Sequence, residues 1–248
     1  MGVRFKVKSQ LDHIEKGGIL DDCGPSSLAA GVSWASGYTR EFSAADGIQW
    51  KKKVTGQKDV DGVSDNGSSL AQLAKVANAM GARARWAKSW EDVVASAQHG
   101  AAIGVWVQQP IGYPKGLEVS EWHTKWGKYW AKKNPKHLKA GYGHMTMAGW
   151  DEEFGWQWAC PTRSGKGKEQ FAVQVTEAQL KAIADSKRVS GKDKAEPHKH
   201  CLIITWDRSK DVVAAPVAPA PAPAAPVQAP TAPAKACSSC GCIIHPTR

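Results

Sequence analysis

No apolar run in the chain approaches the roughly 20 residues that a bilayer-spanning helix needs, although 42% of its 248 residues are hydrophobic. A helical membrane span is therefore not expected. The opening "MGVRFKVKSQLDH" is basic but lacks the apolar stretch and small-residue cleavage site of a secretory signal. Any export would then use a route other than signal-directed secretion. Six cysteines without a signal do not suggest a disulfide framework. Helix-turn-helix spacing, zinc-finger spacing and an aromatic RNA-binding signature are also missing, so nucleic acid is not the expected partner.

What is present is positive charge, a formal net +10. Lys51, Lys52 and Lys53 form one basic run, and "KWGKYWAKKNPKHLK" (Lys125 to Lys139) forms a second. Such charge suits an anionic partner, such as an acidic cell-wall or other envelope polymer or a membrane surface. A solvated lysine face that keeps the protein soluble is the plainer reading.

Composition divides the chain near residue 212. Residues 1–211 read as one folded domain of ordinary size. Residues 212–236 form a Pro/Ala-rich linker. From Ala214 to Ala236 it carries seven prolines and no periodic apolar face, and as a polyproline-type spacer it would reach on the order of 70 Å. Residues 237–248 are a Cys-rich tail. In it Cys237, Cys240, Cys242 and His245 stand as C-x2-C-x-C-x2-H, a ligand set that suits tetrahedral zinc. The spacing is tight and no hydrophobic core surrounds it, so a redox-sensitive tail, intermolecular disulfides or an unstructured end are competing readings. No other cofactor is implied.

Within residues 1–211 helices and strands alternate. "CGPSSLAAGVSWAS" has Leu28, Val32 and Ala35 at helical spacing behind a Gly-Pro start, with Gly37 ending it. Ser68–Gly81 is a serine-capped helix with Leu70, Leu73, Val76, Ala77 and Met80 on one stripe. Ala82–Ala87 alternates like a strand, and Ser89 and Asp92 open the next helix in capping-box spacing. Strands are expected at Ala101–Gln108, Gly143–Trp150, Phe154–Cys160 and His200–Trp206, with a helix at Thr176–Ser186. The order predicts an α+β fold, helices packed on an antiparallel sheet. Trp156 and Trp158 share a sheet face and read as core. Trp122, Trp126 and Trp130 recur every four residues among lysines, an amphipathic aromatic stripe that covers the core or forms a lid.

The chemistry centres on "LDDCGPSSLAAG". A thiol at a helix N-terminus is stabilised as thiolate by unpaired backbone N–H groups and the positive end of the helix dipole. Cys23, followed by Gly24 and Pro25, has that placement. Its general base must come from elsewhere in the fold. His144 begins an apolar strand between Gly143 and Met145, and the next element, "EEFGWQWACP", can form a hairpin with it. His13, His99, His123 and His137 read as loop or solvent residues, and His198 and His200 as an exposed pair.

"DCGPSSLAA" followed downstream by "GHMTMAGWDEEFGWQWACPTRSG" resembles the papain-like cysteine peptidases of the bacteriocin-processing (double-glycine leader) type. Related domains occur at the N-termini of endolysins in phages of actinobacteria. The resemblance covers roughly residues 1–206 and rests on these two motifs. It implies a papain-like fold with Cys23 as nucleophile and His144 as base. It also implies an Asp or Asn before Pro that orients the base, where this chain has Cys160 before Pro161. The family's oxyanion-donor Gln falls at Gly17, and the nearest upstream glutamine is Gln10, which an insertion could loop back to the site. Asp151 is the nearest carboxylate in sequence, but it falls in a turn.

The expected function is that of a phage-associated, endolysin-like cysteine peptidase that hydrolyses peptide bonds of bacterial peptidoglycan. It would act at the cell wall after release or as part of a virion, with other phage proteins as further partners. The competing reading is a catalytically impaired papain-like structural or binding protein of a phage particle, attached through its basic Trp-rich face or Cys-rich tail. A peptidase that processes protein precursors is a third.

Overall fold

The computed structural model describes residues 2–9, 22–56, 68–109, 142–161, 170–189, 191, 193–207 and 209. The chain divides into two units, Met1–Asp211 and Val212–Arg248. The linker and tail readings, with the Cys237, Cys240, Cys242 and His245 quartet, lie outside the described residues. So do Gln10, Gly17 and the Trp122–Trp130 stripe.

The first unit runs β1 (Lys6–Val7), α1 (Cys23–Ala35), α2 (Ala44–Thr55), α3 (Leu70–Ala79), β2 (Arg83–Trp86), α4 (Trp90–Gln98), β3 (Ala102–Gln109), β4 (Tyr142–Asp151), β5 (Gly155–Ala159), β6 (Gln170–Phe171), β7 (Val173–Gln174), α5 (Glu177–Val189) and β8 (Cys201–Thr205). Six strands form an antiparallel sheet in the order β2-β8-β3-β4-β5-β7, and β1 pairs with β6 separately. The α+β architecture read from the sequence is the one observed.

The sheet carries a hydrophobic layer on each face, and strand alternation decides which residue goes to which. Ala102, Met145, Met147, Leu202 and Ile204 face a layer built with Leu28 and Val32 of α1 and Leu73 and Val76 of α3. Their neighbours Ile103, Val105, Val107, Ala148, Trp158 and Ile203 face the opposite layer, built with Val93 of α4 and Leu180 and Ile183 of α5. A sheet covered on both sides explains why β3 and β8 read as continuous apolar runs rather than alternating ones.

Local chemistry sets the helix starts. Ser43 accepts from the Asp46 N–H and Ser69 from the Gln72 N–H, and in each case the residue at the third position reaches back to complete a capping box. Ser89 accepts from the Asp92 N–H. Each such cap contributes about 1 kcal/mol. α1 has no side-chain cap at Asp22, and every residue from Gly24 to Ala35 is buried. Its Gly, Ala and Ser positions let neighbours approach closely on all sides, as a central helix requires. A Cβ on Gly47 of α2, for example, would lie 2.3 Å from the Pro25 carbonyl oxygen of α1.

The sequence reading does not place α2, nor the short strands β1, β6 and β7. The three lysines of α2 draw attention as charge, while its apolar residues are few; among them Ala44 and Ile48 are buried.

Candidate functional site

Cys23 is the first residue of α1 and is half-buried. α1 runs alongside β4 in a fixed register. The Ser27 hydroxyl donates to the Met145 carbonyl at 3.0 Å. One turn on, the Met147 sulfur would lie 2.7 Å from a Cβ on Gly31, and further on the Trp34 ring would lie 2.7 Å from a Cβ on Gly149. A helical turn advances about 5.4 Å and two strand residues about 6.7 Å, so the pairing holds over three steps. Carried one turn back, it brings the α1 N-terminus, with Cys23, level with Gly143 at the start of β4.

His144 stands at that same end. It is 4% exposed, pairs across the sheet with Val107, and its Nε2 lies 3.4 Å from the Cys160 sulfur. Cys160 is 1% exposed, at the exit of β5. Around this pair the face is tied together by hydrogen bonds: Trp158 Nε1 donates to Thr146 Oγ1 at 3.0 Å, and the Thr146 hydroxyl donates to the Val105 carbonyl at 3.0 Å. The structure thus brings together His144 and Cys160, the residues the resemblance pairs as base and third member. Cys23 enters from the other layer: α1 packs on the face of Met145 and Met147, while His144 alternates onto the face of Val107 and Cys160. Thiol and imidazole share an end of β4 and approach it from its two sides.

Asp151 does not orient His144. Seven residues of extended strand, roughly 23 Å, separate it from His144, and its oxygens accept from the N–H groups of Val3, Glu153 and Phe154. Those bonds hold its carboxyl below the ordinary range against the opposing effect of burial. They close the β4–β5 turn and anchor the N-terminal segment. There Gln157 adds two bonds, accepting from the Phe5 N–H and donating to the Val3 carbonyl.

His13, His123 and His137 lie outside the described residues, while His198 and His200 separate as well. Both lie on a 3-10 turn (Pro197–His200) that runs directly into β8. His200 is buried, with Nδ1 2.8 Å from the Ala184 carbonyl and Nε2 3.0 Å from Asp193 Oδ2. It fastens the turn to α5, a structural duty that corrects the exposed-pair reading. His198 sits against Glu196 at 3.3 Å. Cys201, next in sequence, is fully buried and its thiol is pushed up to about 12 by that burial, so it is no nucleophile.

Among the described residues no group of three or more His, Cys, Asp or Glu is arranged to hold a metal ion, and no helix is long and apolar enough to cross a membrane. Comparison with protein-family models, curated proteins and solved structures finds no match.

Proposed function

We propose that the protein is a cysteine peptidase of papain-like type, acting on peptide bonds of bacterial cell-wall peptidoglycan in a phage context. The observation that supports this reading is the join between α1 and β4, which sets a cysteine at a helix N-terminus and a buried histidine at the same strand end. The Cys23 thiol would pass its proton to His144, the thiolate would attack the carbonyl carbon, and the imidazolium would return the proton to the departing amine. Water would then release the acyl group from sulfur. The positive formal charge favours an anionic envelope polymer as the surface on which this happens.

Purified peptidoglycan incubated with the protein should release new amino groups, and Cys23→Ala should lose that release while keeping the parent's thermal transition. Absence of release by the parent from every cell wall offered, with no acylation of Cys23, would overturn the reading.

Two observations favour the second reading, a papain-like scaffold without turnover that attaches to a particle or wall. Cys160 stands where the resemblance calls for Asp or Asn, and His144 is set on the face of β4 opposite the α1 layer. On that reading the protein binds cell wall or phage protein, and Cys23→Ala leaves binding unchanged.

A further inference from the structure

We propose that the groove between α5 and the 3-10 turn binds the lysine-type residue of a cell-wall stem peptide, an aliphatic chain that ends in an ammonium. The proposal rests on the peptidoglycan reading and names a second contact with that substrate, apart from Cys23. The groove measures about 530 Å³, within the range of small-ligand sites. Ala178, Lys181, Ala182 and Asp185 form one wall, and Glu196 and Pro197 the other.

The helical wall follows from spacing. Positions 178, 181, 182 and 185 share one face of α5, while Leu180, Ile183 and Ala184 turn to the core. Two of the four are alanines, so a methylene chain can lie along Ala178 and Ala182 with Pro197 opposite. The charged groups sit at different places along that floor. Lys181 precedes Asp185 by one helical turn, about 6 Å. Its ammonium stands 5.7 Å from the ring of Trp90, whose Nε1–H donates to Glu177 at 2.9 Å, so it rests against the first residue of α4. On the opposite wall Glu196 Oε2 lies 3.3 Å from His198 Nδ1. In a chain of net charge +10 this groove carries two carboxylates and one ammonium. An ammonium entering between Asp185 and Glu196 gains charge-assisted hydrogen bonds, and the four-carbon stem of a lysine reaches back over the alanines. That leaves the peptide's own carbonyl or carboxylate oxygens facing Lys181.

The position suits a peptide held near the end of β4. β8 begins at Cys201, opposite Val105, which pairs in turn with Thr146. The 3-10 turn before β8 therefore lies off the sheet end that carries His144, against the layer toward which His144 alternates.

The test is a titration of the 15N-labelled full chain with the synthetic peptide L-alanyl-γ-D-glutamyl-L-lysyl-D-alanine and with the same peptide carrying norleucine for lysine. The lysine peptide should shift the amide signals of residues 178–185 and of Glu196, and the norleucine peptide should bind about tenfold more weakly. Glu196→Gln should weaken the lysine peptide severalfold. Ala182→Leu, which fills the groove from an exposed helical position, should remove the shifts, with the parent's thermal transition kept in both variants. Equal affinity for the two peptides, or shifts that leave α5 and the turn untouched, would overturn the proposal, and neither result depends on a variant folding. Release of amino groups from peptidoglycan reads the peptidase separately. Release without shifts at the groove sinks the groove and leaves the peptidase, whereas shifts at the groove without release from any cell wall sink the peptidase and leave the groove as a stem-peptide site.

Discussion

At the scale of single residues, burial and partners sort groups that look alike in sequence. Of the three thiols described, Cys23 is half-buried at a helix start, Cys160 faces an imidazole, and Cys201 is sealed in the core with its thiol raised to about 12. We expect Cys201 to resist alkylation at pH 8 in the folded protein and to react at an ordinary rate once urea unfolds the chain, which peptide mapping of both samples would check. Reaction of folded Cys201 at the rate of the Cys-rich tail would contradict the packing. Asp92 provides a second contrast. Arg85 holds it bidentately at 2.6 and 2.7 Å, and the Lys88 N–H adds a bond, so its carboxyl lies well below the usual carboxylate range. A group with a depressed folded pKa contributes stability that is complete above the unfolded value, about 3.9, and fades as pH falls toward the folded one. Arg85 is about half-exposed, at 46%, which limits the pair to about 1 kcal/mol. Asp92→Asn should therefore lower stability by that amount at pH 7 in urea melts, and the gap between variant and parent should narrow below pH 4.

At the scale of elements, the helices with a serine cap followed by an apolar stripe and the strands with apolar runs were legible because their signals are local. Ser69, Ser89 and the stripe from Leu70 to Val76 each act within one or two turns of chain. α2 carries the same kind of local signal, a Ser43–Asp46 capping box and a Gly56 stop, but lacks a clear apolar stripe, because it meets α1 through the side-chain-free Gly47, a contact with no counterpart in local periodicity. Gly47→Ala tests how far the contact matters. The added methyl would meet the Pro25 carbonyl oxygen at 2.3 Å, and a backbone atom cannot turn aside as a side chain can. α1 and α2 must part by several tenths of an ångström, at a cost of about 1–3 kcal/mol. Because Pro25 lies two residues from Cys23, the same displacement should slow Cys23 alkylation in the folded variant. A thermal melt together with the alkylation rate measures both effects, and an unchanged melting temperature would show that the helices do not meet as described.

At the scale of the whole first unit, the two motifs that point to a site in the sequence lie 121 residues apart from Cys23 to His144, and what joins them is the sheet. The β4–β5 hairpin was legible from spacing, and position 160 was expected beside His144 only through the resemblance; the structure sets the two 3.4 Å apart. The face on which His144 lies was not legible, because alternation fixes faces relative to one another and leaves open which layer the central helix covers. The same sheet is the shared wall of both hydrophobic layers, so the layers should not melt separately. Leu73 on the α1 side and Ile183 on the α5 side are each fully buried. Truncating either to alanine removes packing worth about 2–5 kcal/mol. If β3, β4 and β8 couple the layers, both variants lower one common transition, seen alike by tryptophan fluorescence and far-UV circular dichroism. Two transitions, one shifted by Leu73→Ala and the other by Ile183→Ala, would mean that each layer holds its own strands. The end of β4 that Cys23 and His144 approach from its two faces would then be a seam able to open, and Cys23 reactivity would follow the weaker transition rather than the global one.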